Sequence, residues 1–186
     1  MPAALIAKDE VLARLLATFR SDGYDGASLA ELSQRTGLGK SSLYHHFPGG
    51  KEEMATSVLA YLEDTLEPAF QRALSGKTAG ARLARMLDTI DDFYAGGKAA
   101  CLLERLAASV DRACFKKPLA RAFQRFMAVF AEIGCSAGLQ RDVAQARAED
   151  AVVRIEGALV VASGTGDVKV FQRALAEIRS TFLEQD

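Results

Sequence analysis

The chain has 186 residues, of which 49% are hydrophobic and 25% charged, and its formal net charge is −1. Such a length and apolar content suit a folded chain of one domain or two small ones with a sizeable core. Near neutrality excludes a whole-molecule attraction to polyanions, so any nucleic-acid surface has to be a local cluster.

The three cysteines, Cys101, Cys114 and Cys135, are odd in number, widely spaced and without a CxxC pair. That pattern speaks against a disulfide framework and against a zinc site, and fits a reducing compartment. The opening residues, MPAALIAKDEV, hold no basic stretch followed by a long apolar one. The longest charge-free run near the end, Gly157 to Gly166, falls far short of the ~20 residues that span a bilayer. The expectation is a soluble, unexported, cytoplasmic protein with no membrane partner.

Nearly every segment has helical spacing, so the expected fold is all-α, with about nine helices. Leu12, Leu15, Leu16 and Phe19 predict a first helix from about Ala4 to Ser21, stopped at Asp22-Gly23. Ser28 stands three residues before Glu31, the spacing of a capping box, and opens a second helix that ends at Gly37. A short third helix, about Lys40 to Phe47, is closed by Pro48-Gly49-Gly50.

A fourth helix starts near Lys51, with a kink or an end expected at Pro68 and a loop at Ser75-Gly76-Lys77. Further helices are predicted over 79–94, 98–110, 118–133 and 142–163. After Gly164-Thr165-Gly166, Asp167 is a good N-cap for a last helix reaching about Leu183.

The stretch 28–47, SLAELSQRTGLGKSSLYHHF, contains both histidines of the chain. With Leu29, Leu32, Leu38, Leu43 and Phe47 in a small core, the other residues of the third helix point outward, as in a helix-turn-helix joined by the short turn Thr36-Gly37-Leu38-Gly39. The outer face of so short a helix can enter the major groove. Ser28, at a helix N-terminus, suits a phosphate. Tyr44 and His46 can donate to phosphate oxygens, and Lys51 adds a full charge. Lys40, Ser41, Ser42 and His45 are placed for base edges, where lysine and serine read permissively.

The segment GASLAELSQRTGLGKSSLYHHFPGGKEEM resembles the DNA-binding segment of TetR-family transcriptional repressors, with the match extending over about Leu12 to Met54. The resemblance implies that Ser28, Tyr44, His46 and Lys51 hold phosphates while Lys40, Ser41, Ser42 and His45 face the groove. Gly39 departs from the family's frequent hydroxyl N-cap. With PGGKEEM, GGKAACLLERLA and the closing RAEDAVVRIEGALVVASGTGDVKVFQRALAEI, the chain is similar to the LmrA/YxaF-like branch of that family. The resemblance further implies a head over 1–50, and a helical effector-binding and dimerisation domain over 51–186. Its partners would be double-stranded operator DNA, a small-molecule effector and a second copy of the chain.

Other readings of the same residues are weaker. Adjacent histidines diverge by about 100° around a helix and do not converge on one ion as an i, i+4 pair does. Cys101 sits among apolar neighbours with no third histidine to activate it, so no catalytic residue, cofactor or metal is expected. Asp91-Asp92 and Glu52-Glu53 read as solvated helix faces.

In the last two helices, Phe171, Leu175, Ile178 and Phe182 form one apolar stripe and Val152, Ile155, Leu159 and Ala162 another. Both need cover, and Val153, Val160, Val161 and Val170 broaden the surface enough to suggest a two-fold four-helix contact through those eight residues. Met86, Ile90, Phe93, Tyr94, Leu102, Phe123, Met127 and Phe130 offer apolar and aromatic lining for an effector, although ordinary core packing explains any one of them. The reading is a homodimeric, effector-released repressor at a near-palindromic operator. The rival is a helical small-molecule-binding protein without sequence-specific DNA binding.

Overall fold

The computed structural model describes residues 6–110 and 112–184, and all regular structure among them is helical. The expected start of the first helix at Ala4 lies outside the described residues. The helix itself, α1, runs Lys8–Gly26, but its path leaves helical geometry at Gly23, with φ 72°, at the predicted Asp22-Gly23 stop. Then come α2 (Leu29–Thr36), α3 (Lys40–His46), α4 (Gly50–Leu74), α5 (Ala79–Phe93), α6 (Leu102–Ala107), α7 (Lys116–Ser136), α8 (Arg141–Thr165) and α9 (Lys169–Thr181). Short 3-10 turns lie at Ala95–Gly97 and Arg112–Phe115.

The chain divides into two units, each built from two stretches of sequence. The first comprises Met1–Asp64 with Leu102–Leu119, and the second Thr65–Cys101 with Ala120–Asp186. In the first unit, Val11, Leu15, Phe19, Leu32, Leu43, Phe47, Met54 and Val58 are all 1% exposed or less, and α6 packs along α1. Leu29 and Leu38 are only half-buried, at the edge of this core. Phe115 is fully buried and meets Tyr24 edge-on, with ring centroids 4.8 Å apart.

In the second unit α8 packs along α9, and α9 along α5. The face that α8 buries is largely of small residues, Ala144, Ala148, Ala151, Ala158 and Ala162, with Val152, Ile155 and Leu159. Small residues let helix axes approach closely, and the space is filled from α9 by Phe171, Leu175 and Ile178, with Phe182 just beyond its end. Burying a Phe or Leu side chain stabilises by roughly 1.5–3 kcal/mol, which ties these helices into one body.

This packing corrects the expected interface. Val152, Ile155, Leu159, Ala162, Phe171, Leu175, Ile178 and Phe182 are all 6% exposed or less within the single chain. Both stripes are covered inside the chain, α9 lying along α8 and α5 with Phe171 on Tyr94 and Phe182 on Phe130, so they leave little surface for a second copy. Among the apolar residues that α8 leaves outside are Val153, Val160 and Val161, 63%, 50% and 46% exposed.

Three element boundaries also differ from expectation. Pro68 does not end α4, which continues to Leu74 before the predicted loop. The helix predicted over 98–110 is confined to Leu102–Ala107. Its missing first turn is spent on a reversal in which Gly97 adopts φ 91°, and a Cβ there would lie 2.8 Å from the Cβ of Phe171, so only glycine fits. At the start of α9 the residue in the N-cap position is Val168, yet the Asp167 carboxylate does accept from the Lys169 N–H at 3.0 Å.

Candidate nucleic-acid interface

The recognition segment is built from two locally encoded helices and one clamped turn. At the start of α2 both bonds of the capping box form: Ser28 Oγ accepts from the Glu31 N–H at 3.2 Å, and Glu31 Oε2 accepts from the Ser28 N–H at 2.9 Å. The Ser28 backbone N–H, then its hydroxyl, hold the Glu31 carboxyl below its ordinary range. An internal carboxylate therefore already answers part of the positive field at this helix end. This helix end is therefore not an empty anion site.

The turn after α2 is fixed from several sides. Gly37 takes the left-handed conformation, φ 75°, and its N–H returns to Ser33 O. Ser33 Oγ donates to Leu38 O at 2.6 Å, and Thr36 Oγ1 donates to Leu32 O at 2.6 Å. From α1, Arg14 Nη1 donates to Thr36 O at 2.9 Å while its Nη2 meets Glu10. This clamp spans 22 residues of sequence, and no local pattern announces it.

On that base α3 stands with one buried residue, Leu43, and Phe47 just beyond its end as a second anchor. Lys40, Ser41, Ser42, Tyr44 and His45 are exposed and His46 is half-buried. The two imidazole centroids lie 5.8 Å apart with their planes at 70°, an edge-on contact. Gly39 caps α3 with no side-chain bond, as its lack of a hydroxyl dictates.

Lys51 behaves differently from its neighbours. Its Nζ donates to Ala27 O at 2.9 Å and sits 4.5 Å from the centroid of the Tyr24 ring. The ammonium thus braces the loop between α1 and α2, next to Ser28. Its partner Tyr24, in the stretch DGYDG, has no mark in the sequence, since a cation–π contact between residues this far apart carries no local signature.

Of the expected effector lining, Met86, Ile90, Tyr94 and Phe130 are buried and Phe93, Phe123 and Met127 half-buried in the second unit. Phe130 touches Phe126 and Phe182, so it serves the core. Leu102 belongs to the first unit and is not grouped with them. Cys101 is buried as expected, but not among apolar groups alone: the Tyr94 hydroxyl donates to its sulfur, and its thiol donates to Glu156 Oε1, both at 3.3 Å. No group of three metal-ligating side chains occurs among the described residues. No helix there is long and apolar enough to cross a membrane.

A short exposed helix laid across a capped one, at the head of an all-helical chain, defines a helix-turn-helix protein. Residues 11–58 match the family described as bacterial regulatory proteins, tetR family. The HTH-type transcriptional regulator LmrA of Bacillus subtilis (strain 168) is 33% identical over 57 residues, 31% of this chain and 30% of the relative. YxaF of the same organism, an uncharacterized HTH-type transcriptional regulator, is 31% identical over 67 residues, 36% and 35% of the two chains. The chain thus matches about a third of the length of these relatives.

Among solved structures, a TetR transcriptional regulator from Legionella pneumophila superposes with a TM-score of 0.87 at 18% identity, over 96% of this chain and 98% of that one. A cysteine mutant of the TetR-family regulator CifR, solved with 26-bp double-strand operator DNA, gives 0.73 at 20% identity, over 97% and 100%. Over its head the chain is similar to the tetR family, with LmrA and YxaF among its relatives.

Proposed function

We propose that the protein is a ligand-responsive transcriptional repressor that binds a near-palindromic operator as a homodimer and is released by a small apolar or aromatic effector. The observation that carries this reading is α3: seven residues with a single buried side chain, held out by Leu43 and Phe47 so that Lys40, Ser41, Ser42, Tyr44 and His45 face outward. A helix shorter than ~12 residues is marginal in water on its own, so one propped up by its neighbours with its polar face free suits insertion in a major groove. The operator complex of CifR, a protein of the same fold, supports the choice of DNA as the partner.

Lys40, Ser41, Ser42 and His45 read base edges in this account, and Ser28, Tyr44, His46 and Lys51 position the phosphates. The DNA-binding part covers residues 1–50 and the effector and dimerisation part 51–186. Dimerisation uses the outer row of α8, where Val153, Gly157, Val160 and Gly164 follow helical spacing with Val161 alongside; space is open around both glycines, which permits close approach of a second helix. Helix α4 contributes residues to both units, so an effector held by the second can bias the head. A reversal from 1:99 to 99:1 requires the effector to prefer the released state by ~5.5 kcal/mol.

Selection of duplexes from a random pool by the purified chain, with the bound mass measured by light scattering, tests this reading. A near-palindrome carrying two chains, or two dimers, is expected. Tyr44→Phe should then weaken related sequences equally, whereas Lys40→Ala or Ser42→Ala should alter sequence preference. Failure to recover any sequence would leave the helical small-molecule-binding protein as the better reading.

A further inference from the structure

The head is poorly supplied with positive charge for a nucleic-acid reader. Residues 1–64 carry six Lys and Arg against nine Asp and Glu. Arg14 is held by Thr36 O and Glu10, Arg35 by Asp22 and Ser21, and Lys51 spends one of its donors on Ala27 O beside the Tyr24 ring. Affinity for duplex DNA rests largely on cations that displace its counterions, so charge must enter from elsewhere.

It enters through the sequence-distant part of the same unit. The segment 112–119, RACFKKPL, holds three cations and no carboxylate. The segment and the residue two before it, Val110, are each fastened to the end of α1. The Val110 N–H donates to Asp25 Oδ2 at 3.0 Å, and Phe115, fully buried, packs edge-on against Tyr24. Tyr24 is the ring over which Lys51 lies, and Lys51 is bound to Ala27 O, one residue before Ser28. Lys116 and Lys117 follow Phe115 directly, and both are exposed.

We propose that Lys116 and Lys117 form a second, sequence-independent DNA contact, gripping backbone phosphates that flank the half-site read by α3. The contact rests on the proposed DNA-binding function and deepens it: α3 selects the sequence, while the 112–119 segment supplies net affinity that the acidic head lacks. Phosphate contacts of this kind fix register and carry no sequence information.

The test uses the full-length chain, a duplex recovered by selection, and the same duplex extended by about one helical turn at each end, ~10 bp. Binding is measured against salt for the wild type, Lys116→Ala/Lys117→Ala and Lys116→Arg/Lys117→Arg. Each lost phosphate contact should flatten the log–log slope by ~0.9, so the double alanine variant should be shallower by about 1.8 per chain. It should also lose the gain that extension gives the wild type, and weaken operator variants by a common factor. The arginine variant should restore both slope and gain. A wild type that binds its operator with a steep slope, alongside an alanine variant of unchanged slope and affinity, would overturn this contact and leave the DNA reading intact. A wild type that selects no duplex would remove the DNA reading on which the contact rests.

Discussion

Helices α3 and α8 solve opposite problems with the same backbone. In α8, 25 residues long, eight side chains are buried, so the helix is held by its own packing against α9. In α3, seven residues long, one is buried, and the helix is held by what surrounds it: the Gly37 turn, the Arg14 clamp and Phe47. The difference shows where each unit keeps its freedom. The side chains on one face of α8 are committed to the core, whereas every side chain of α3 but Leu43 is left available for a partner.

Truncating an anchor tests this contrast most severely. Leu43→Ala removes the one buried residue of α3 and should cost ~2–5 kcal/mol, ending DNA binding. Ile155→Ala, a cavity of similar cost in the second unit, should leave the head's hydrogen-exchange protection unchanged. Comparable loss of head protection in both variants would show that the units do not differ as described. On the outer row of α8, Val160→Glu should give a monomer in light scattering with unchanged helix content, because the side chain is half-exposed and supports no core. A dimer that survived it would place the interface elsewhere.

Smaller effects sharpen the comparison. Gly37→Ala forces a left-handed conformation on a residue with a Cβ, costing roughly 1–2 kcal/mol in thermal unfolding. Ser28→Ala, which removes one bond of the capping box, should cost ~1 kcal/mol, and Ser28→Asp should recover much of it. In the second unit Arg125 makes two bonds to Glu67, from Nε at 2.8 Å and Nη2 at 2.6 Å, and Gln71 a third at 2.7 Å. The Arg125 hydrogen bonds, followed by that of Gln71, lower the Glu67 carboxyl from 4.5 to about 2.

A depressed carboxyl stabilises the fold above its unfolded value and loses that contribution as pH falls toward about 2. Both partners are about a third or more exposed, 34% and 43%, so solvent screening reduces the effect to ~1 kcal/mol or less. Glu67→Gln should therefore destabilise slightly at neutral pH and approach wild-type stability as pH drops from about 4.5 toward 2. A pH-independent difference would mean that packing, not charge, is what the substitution removes.

By itself the sequence determined whatever depends on neighbours within about four residues: the all-helical class, the Ser28–Glu31 capping box, the Gly23 and Gly37 stops, and the short α3 with its polar face outward. Caps, turns and amphipathic spacing are local, and their bonds close inside the stretch that encodes them. The tertiary fold alone dictates that segment 98–101 gives up its helix to a Gly97 reversal beneath Phe171, that Lys51 turns inward to Ala27 and Tyr24, and that the apolar stripes of α8 and α9 are buried within the single chain. It alone brought residues 102–119 into the first unit, with Phe115 on Tyr24. These are pairings between distant residues, and a stripe or a cation in a sequence states that it needs a partner without stating which one it meets.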